Sequence, residues 1–355
     1  MARCVPAQCG RATYGVHAPH LTLYGVTRKK GSLMKTIRIF AALALAAAAT
    51  AAHAQDVVRL GNLKFAHYGA VSYMKEIAPK YNLKIDERMF AKGLDIIPAV
   101  VAGEIDIAAS AADAAIASRA SGAPVYVVAG FAKGGARLVA RPDAGIKSVA
   151  DLKGKKVGVA RGGAQELLLL AELAKANLTW SDQPGKDVQL AYMAFADLNQ
   201  ALLQKQLDAI CQSEPQSSQA IHKGFGVEVI KPYDTAIGPP IRALVMTEKM
   251  YKENPDVARR VLECFVEATK TFIDKPDLAE KYVREQMFKG QISAEDFKEA
   301  MENSPYTYDI SVEHIQTTTD LMVKYGVGRM QNPPKASDWV KIDLLAAAKK
   351  KVGVK

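Results

Sequence analysis

Short apolar segments alternate with helix-forming segments from Val57 onward, and this alternation restricts the fold more than any other feature of the chain. The predicted strands of the first set cover residues 57–60, 83–86, 105–108 and 125–128, and the predicted helices cover 70–81, 96–102 and 111–120. Strands and helices that alternate at this spacing are typical of parallel βαβ units. The strand at 125–128 is apolar throughout, which indicates a sheet that is covered on both faces. The pattern therefore predicts an α/β fold.

A second set of the same kind follows. Its predicted strands cover residues 156–160, 188–190, 208–211 and 227–230, and its predicted helices cover 164–176, 195–205 and 216–222. Two further strand-like segments, 136–140 and 241–246, lie before and after this set, and we interpret them as hinge strands between two lobes. The first lobe is predicted to comprise residues 55–139 and 241–355, with helical periodicity beyond residue 254, and the second lobe to comprise residues 140–240.

The beginning of the chain has features of export. From Met34, two cations precede an apolar segment at 39–49 and the cleavage pattern Ala-His-Ala, which predicts a signal peptide at 34–54 that is cleaved before Gln55. The apolar segment is short for a transmembrane helix, although a retained anchor or a chance alanine-rich segment stays open. Residues 1–33 resemble neither a signal nor a fold, and we interpret them as an upstream extension assigned in error. Export predicts a periplasmic location.

The positive charge of the chain is concentrated near its start. The formal net charge is +10, but residues 1–54 contain seven cationic residues and no acidic one, so the remaining residues carry only +3. Those remaining charges are interleaved and form no run that could follow a phosphate backbone. We therefore exclude nucleic acid as a predicted partner.

No segment of the sequence carries a recognisable catalytic or metal-binding motif. Cys4 and Cys9 lie in the upstream extension, and Cys211 and Cys264 stand alone rather than in a Cys-x-x-Cys or His/Cys cluster. We interpret the latter two as buried thiols, while a disulfide between them stays open in an oxidising compartment. Patterns such as Gly-x-Ser-x-Gly and His-Glu-x-x-His do not stand out. The sequence thus predicts a protein that is not an enzyme and has no metal or other cofactor.

Four local patterns occur in order along the chain. They are VAGEIDI at 101–107, GIKSVADLKGKKVGV at 145–159, DAICQSEP at 208–215 and NPDVARR at 254–260. With these patterns the chain resembles the bacterial periplasmic binding proteins for nitrate, taurine, alkanesulfonates and the thiamin pyrimidine precursor, over about residues 57–325. The resemblance implies a two-lobe, type II binding-protein fold. Each lobe would have a mixed, mostly parallel sheet flanked by helices, and two hinge strands would join the lobes.

The resemblance also implies a function. A monomeric protein of this kind binds a small solute, which we expect to be an anion such as a sulfonate, a carboxylate or nitrate. It delivers the solute to an ABC permease that is powered by a separate ATPase. Two alternatives stay open, namely a periplasmic protein that presents a ligand to a sensor kinase, and a binding protein or enzyme related to the thiamin pyrimidine. The lone cysteines and the predicted export argue against the enzyme.

Candidate ligand residues follow the predicted strands, because ligands of open α/β sheets bind beyond the carboxyl ends of the strands. We expect the site to be formed from His67, Tyr68, Lys92, Ser110, Arg137, Gly162, Gly163, Ala164, Gln165, Glu214 and Arg242. Each has a structural alternative, such as a plain turn for the glycines or a structural role for His67. Asp113 suits a helix N-terminal position better than a ligand contact.

Two parts of this set are the strongest candidates, the glycine turn because of its free backbone and the two arginines because of their charge. The turn Gly162-Gly163 precedes a predicted helix, whose free N–H groups and dipole favour an anion that the glycines allow to approach. Related proteins often have Ser or Thr in this turn, so here backbone contacts would have to suffice. Arg137 and Arg242 lie in apolar hinge segments, so each either binds an anionic ligand or pairs with an acid at the lobe junction. The sharpest hypothesis combines the glycine turn with Arg137.

Overall fold

Two mixed β-sheets organise the part of the chain that the computed structural model describes, residues 55–354. The predicted signal peptide and the upstream extension lie outside these residues. The strands are β1 Asp56–Leu63, β2 Leu83–Phe90, β3 Ile107–Ala111, β4 Val125–Lys133, β5 Ala136–Ala140, β6 Lys156–Val159, β7 Trp180–Ser181, β8 Val188–Tyr192, β9 Ala209–Ser213, β10 Val227–Ile230 and β11 Ile241–Thr247.

Helices connect the strands and form the C-terminal part of the chain. They are α1 Gly69–Ile77, α2 Ile97–Val101, α3 Ala112–Ala120, α4 Ala164–Lys175, α5 Phe195–Leu203, α6 Gln216–His222, α7 Glu248–Glu253, α8 Pro255–Asp274, α9 Pro276–Tyr282, α10 Ala294–Asn303, α11 Val312–Tyr325, α12 Ala336–Trp339 and α13 Asp343–Val352. Short 3₁₀ segments lie at Ala66–Tyr68, Ala78–Tyr81, Gly93–Ile96, Val149–Leu152 and Val327–Arg329, and a π-helical turn lies at Val283–Met287. Within residues 55–354, no helix combines the length and the apolar character needed to cross a membrane.

The two sheets share one strand arrangement. In the first, the order is β2-β1-β3-β11-β4, with β1 parallel to β2 and β3, and β11 antiparallel to β3 and β4. In the second, the order is β10-β5-β9-β6-β8-β7, with β6 parallel to β8 and β9, and β5 antiparallel to β9 and β10. Apart from the short edge strand β7, which the sequence did not predict, the second sheet repeats the first. The predicted α/β fold with two mixed sheets is confirmed.

The chain crosses between the two sheets twice. β5 follows β4 after only Gly134 and Gly135, yet it lies in the second sheet, and β11 returns the chain to the first sheet. A hydrogen bond of 2.7 Å from the N–H of Gly134 to the carbonyl of Pro240 joins the two crossings. All of β5 pairs within the second sheet, so the chain changes sheets at Gly134 and Gly135 rather than between residues 139 and 140, where the sequence analysis divided the lobes.

The helical C-terminal part completes the core beside the first sheet. Helix α8 buries an apolar stripe that includes Val261, Leu262 and Phe265, and it packs against α1 and α13. Cys264 lies in this stripe, and Cys211 lies in β9. Both cysteines are buried and free, which agrees with their interpretation as buried thiols.

Candidate ligand-binding site

A cleft lies between the two sheets, at the carboxyl ends of their parallel strands. Its lining comes from the ends of β1, β2 and β3 and the residues after them, and from the corresponding parts of β6, β8 and β9. The space outside the protein atoms is about 390 Å³. The structure brings together in this cleft most of the predicted ligand residues, namely His67, Tyr68, Lys92, Gly162, Gly163, Ala164, Gln165 and Arg242.

Arg242, on β11, is the most buried cation of the cleft, with 2 % of its surface exposed. Its Nε donates a hydrogen bond to Nε2 of His67 over 3.3 Å, and its Nη2 donates to the carbonyl of Gly134 over 3.1 Å. Its Nη1 has no hydrogen-bond partner within residues 55–354, and neither hydrogen bond goes to a carboxylate. Because a buried cation without an anionic partner is costly, Arg242 can still accept an anion.

His67 is a neutral donor beside Arg242. Burial, and secondarily the charge of Arg242, lower the pKa of His67 well below its ordinary value. The Nε of an arginine can only donate, so Nε2 of His67 must accept, and the proton of the neutral ring lies on Nδ1. That Nδ1 is buried and has no hydrogen-bond partner in the described residues. His67 therefore offers an N–H group rather than a charge.

The start of α4 forms the opposite part of the cleft wall. Gly163 is the N-cap residue, and no side chain caps the helix. The N–H of Gly162 donates to Oε2 of Glu166 over 2.6 Å. The next N–H groups, those of Ala164 and Gln165, have no carbonyl one turn earlier to accept from them. Together with the helix dipole they form a place where an anionic group can be stabilised.

Gly162 allows the two halves of the cleft to approach each other. Its φ is +73°, which favours glycine, and a Cβ atom at this position would lie 2.5 Å from Cδ1 of Leu94. Leu94 follows β2, whereas Gly162 follows β6, so the contact joins segments of different sheets. A side chain here would displace at least the end of the Leu94 side chain.

Aromatic rings form the apolar part of the cleft. Phe65 stacks on His67 with ring centroids 5.8 Å apart, and it meets Phe195 edge to face at 5.4 Å. Because Phe65 follows β1 and Phe195 begins α5, this ring pair also joins segments of the two sheets. Burial raises the pKa of Tyr68, so its phenol stays neutral. A ligand in the cleft therefore meets an apolar surface as well as the polar groups.

Two more cations lie at the opening of the cleft. Lys92 is 3.9 Å from Asp95, and Arg161 is 3.0 Å from Asp182 with its guanidinium 3.6 Å from the ring centre of Tyr192. The side chains of Lys92 and Arg161 are 48 % and 47 % exposed. Exposed pairs of this kind contribute little energy, so these cations are expected to bind a solute less strongly than Arg242 does.

Arg137 and Glu214 do not line the cleft, and the expectation that Arg137 supplies its charge is corrected here. Nε of Arg137 lies 2.6 Å from Oε1 of Glu214, and the two side chains are 1 % and 0 % exposed. Nη1 of the same arginine also lies 2.7 Å from Glu299 and 3.0 Å from Glu228. With these acidic partners Arg137 has no charge left for a ligand, and the alternative of a structural pair describes it.

Ser110 also lies outside the cleft. It is 4 % exposed and lines a separate, largely apolar cavity that shares Gly93 with the cleft. Its hydroxyl donates to the carbonyl of Ala111 over 3.0 Å. The cleft is also lined by residues outside the predicted set, namely Leu63, Phe65, Gly93, Ala111, Ala114, Arg161, Phe195 and Ser213. Nearly all of them lie at a strand end or just after one, so that position alone could have indicated them.

The repeated strand arrangement and the cleft between the sheets define a two-lobe, type II periplasmic-binding-protein fold. The crystal structure of the periplasmic aliphatic sulphonate-binding protein from Escherichia coli matches it with a TM-score of 0.68 and 22 % identity, covering 80 % of this chain and 92 % of that one. The nitrate-binding protein from Synechocystis PCC 6803 matches with a TM-score of 0.67 and 17 % identity, covering 84 % and 89 %. At these identities the likeness shows the fold.

Residues 81–279 match the family model described as NMT1/THI5 like, and the chain belongs to this family. A protein of Escherichia coli K12 named as an aliphatic sulfonates-binding protein is 34 % identical over 150 residues, which cover 42 % of this chain and 45 % of that relative. A protein of Brachyspira hyodysenteriae named as an ABC transporter periplasmic binding protein is 22 % identical over 238 residues, covering 62 % and 67 %. The chain thus spans about half the length of the first relative and two thirds of the second.

Proposed function

We propose that this protein binds a small organic or inorganic anion in the cleft and hands it to an ABC permease as the solute-binding component of an importer. The observation that carries the proposal is Arg242. It is 2 % exposed, lines the cleft, has a free Nη1 and makes no hydrogen bond to a carboxylate within residues 55–354. An anionic solute would supply the missing partner.

Three further groups suit the same ligand. Within the described part of the chain, the N–H on Nδ1 of His67 and the first N–H groups of α4 are donors without acceptors of their own. Phe65 and Phe195 provide an apolar surface beside them. The site therefore suits a solute with one compact anionic group, such as a sulfonate, a carboxylate or nitrate. Its delivery to a permease is supported by the relatives named as sulfonate-binding and ABC transporter binding proteins.

The proposal does not involve catalysis. Both Cys211 and Cys264 are buried, and neither lines the cleft. Burial raises the pKa of each thiol, which disfavours the reactive thiolate. Capture and release of an unchanged solute is the function that the arrangement of donors supports best.

A thermal-shift screen with matched ligands tests the proposal. Nitrate, ethanesulfonate, benzenesulfonate and benzoate are compared with neutral benzamide, which resembles benzoate in shape. We expect at least one anion to raise the unfolding midpoint, because a ligand that binds only the folded state stabilises it. Benzamide should not do so.

A variant of Arg242 then tests whether this residue binds the anion. Arg242→Met keeps most of the side-chain volume. We expect it to lower the affinity for the anion by about 10- to 150-fold, the range for one charge-assisted hydrogen bond. The control is Arg88→Met, since Arg88 is 60 % exposed and pairs with Glu104 away from the cleft. If benzamide binds as well as benzoate, or if Arg242→Met keeps full affinity, the proposed function is wrong.

A further inference from the structure

Asp113 is a buried carboxylate next to the anion site that takes no part in the cleft itself. It is the second residue of α3, directly after β3, and it is 2 % exposed. The last residue of β3, Ala111, pairs with Arg242 across the sheet. Asp113 is thus held close to the cation that the proposed function assigns to the solute.

The two oxygens of Asp113 have no strong partner. Neither accepts a hydrogen bond of good geometry within residues 55–354. The backbone N–H groups of Asp113 and Ala114, at the start of the helix, are near enough to favour the ionised form. The side chain lines a small cavity that shares Ala164 with the cleft. An ionised carboxylate in such a place is costly.

The charged and titratable groups around Asp113 come from four other elements. Burial raises the pKa of Tyr68, in the 3₁₀ segment Ala66–Tyr68, and Asp113 adds to this rise while Arg242 opposes it, so the phenol stays neutral. Arg242 on β11 favours the ionised form of Asp113, and Glu166 on α4 opposes it. His314 on α11 lines the same cavity, and its pKa is lowered, first by burial and then by Lys133, so that it stays neutral. Burial outweighs these effects and raises the pKa of Asp113 to about 7. The carboxylate is therefore poised between its two forms near neutral pH.

We propose that anion binding in this protein is linked to a proton, so that Asp113 becomes protonated when an anion occupies Arg242. Two negative groups beside one guanidinium repel each other, and the carboxylate can neutralise itself by binding a proton. The solute and the proton thus enter the site together. This inference rests on the proposed function, because it requires an anion at Arg242.

The linkage predicts a particular pH dependence. At pH values where Asp113 is already protonated in the free protein, binding takes up no proton at Asp113, and the affinity for the anion does not change with pH through this residue. Above a pH of about 7 the free protein must take up a proton on binding, and affinity falls by up to about tenfold per pH unit. The affinity stops falling at the pH where Asp113 is ionised in the complex as well, because binding then takes up no proton.

Calorimetric titration measures both the affinity for the anion and the number of protons taken up on binding. The probes are nitrate, ethanesulfonate and benzenesulfonate, which stay ionised throughout, titrated from about pH 6 to about pH 9. Bis-Tris buffers the acidic end of this range, and Tris and triethanolamine buffer the alkaline end, because none of them is itself an anion. We expect tighter binding at the acidic end. At the alkaline end we expect a difference in apparent enthalpy between Tris and triethanolamine, whose ionisation enthalpies differ, and this difference reports uptake of a proton.

Two variants assign the effect. Asp113→Asn should bind the same anion with nearly constant affinity over this pH range and without proton uptake. Asp277→Asn is the matched control, because Asp277 is also a first-turn acidic residue but is exposed on α9. It should keep the pH dependence of the parent. Proton counting on the parent protein does not depend on whether the variants fold.

The possible failures are distinguishable. If neither these probes nor benzoate binds at the acidic end, the proposed function is overturned, and the proton linkage with it. Binding that is equally tight at both ends and takes up no proton overturns the linkage alone. Retention of the pH dependence by folded Asp113→Asn also overturns it, because another group would then carry the proton.

Discussion

Arg137 and Glu214 form an ion pair that is almost completely shielded from solvent, with Nε of the arginine 2.6 Å from Oε1 of the glutamate. Ser218 donates to the same glutamate through its backbone N–H and its hydroxyl, at 3.2 Å and 2.8 Å. Burial raises the pKa of Glu214, and the charge of Arg137 opposes this rise. Because Arg137 lies on β5 and its partner Glu299 lies on α10, the cluster also joins the second sheet to the C-terminal helices.

Removal of Arg137 should destabilise the fold rather than abolish a ligand contact. Arg137→Ala leaves Glu214 buried without its cation, which is expected to lower the free energy of unfolding by about 3–5 kcal/mol. The control is Lys205→Ala, which breaks an exposed ion pair with Asp143 whose side chains are 68 % and 51 % exposed. That change should have an effect of no more than about 1 kcal/mol. Urea denaturation measures both, and equal stability of Arg137→Ala and the parent would contradict the prediction.

A side chain at Gly162 should interfere with ligand binding. Gly162→Ala and the control Gly145→Ala both place alanine at a positive φ, +73° and +71°, at a backbone cost of about 1–2 kcal/mol each. Only at Gly162 does the new Cβ meet a neighbour, Leu94, whereas nothing lies within 4 Å of it at Gly145. Titration with the anion that gives the largest thermal shift should therefore show weaker binding only for Gly162→Ala. Equal affinities of the two variants would mean that this contact is not required.

The free energy of unfolding should depend on pH through the ionisation of Asp113. Its pKa lies at about 7 in the folded protein, above the ordinary 3.8, so the folded state binds the proton more tightly than the unfolded state. The resulting stabilisation is complete below the ordinary pKa and is lost as the pH rises toward the folded pKa. Asparagine does not titrate, so the stability of Asp113→Asn does not change with pH through this residue.

The unfolding free energy of Asp113→Asn should therefore improve relative to the parent as the pH rises from about 4 to about 7, by at most about 1.4 kcal/mol per pH unit. Denaturant titrations of both proteins at several pH values measure the difference. Effects of His67 and His314, whose pKa values are lowered, are common to both proteins and cancel. A difference that does not change with pH would contradict the assignment.

Ligand binding is expected to draw the two sheets together about the paired crossings. Gly134 and Gly135 have φ values of +72° and +77°, and Arg242 donates to the carbonyl of Gly134, so the anion site touches the first crossing directly. Small-angle scattering should show a smaller radius of gyration with the bound anion. Arg242→Met with the same anion should show no change. Unchanged dimensions of the parent alongside confirmed binding would argue for a rigid site.

The positions of the cleft residues could be predicted from the sequence because they follow from chain direction. Parallel strands end at one edge of a sheet, so the segments after β1 and β6 had to lie at such edges. His67 and Gly163 belong to those segments, and both line the cleft. Apolar runs and helical periodicity depend only on neighbouring residues. They predicted every strand except β7 and the helices α1 to α6, whereas beyond residue 254 they indicated helical character without the individual helices.

The partners of the two buried arginines were decided by the tertiary structure. Arg137 and Arg242 both lie in apolar strands, and nothing near either of them in the sequence distinguishes a structural charge from one that binds a ligand. The distinction came from distant residues, since Glu299 is 162 positions from Arg137, and His67 is 175 positions from Arg242. Within residues 55–354, Arg137 forms ion pairs with carboxylates, whereas Arg242 forms neither an ion pair nor a hydrogen bond with one. Local sequence determines which segments form strands and where they end, whereas the balance of charge around a buried group depends on contacts that only the folded chain creates.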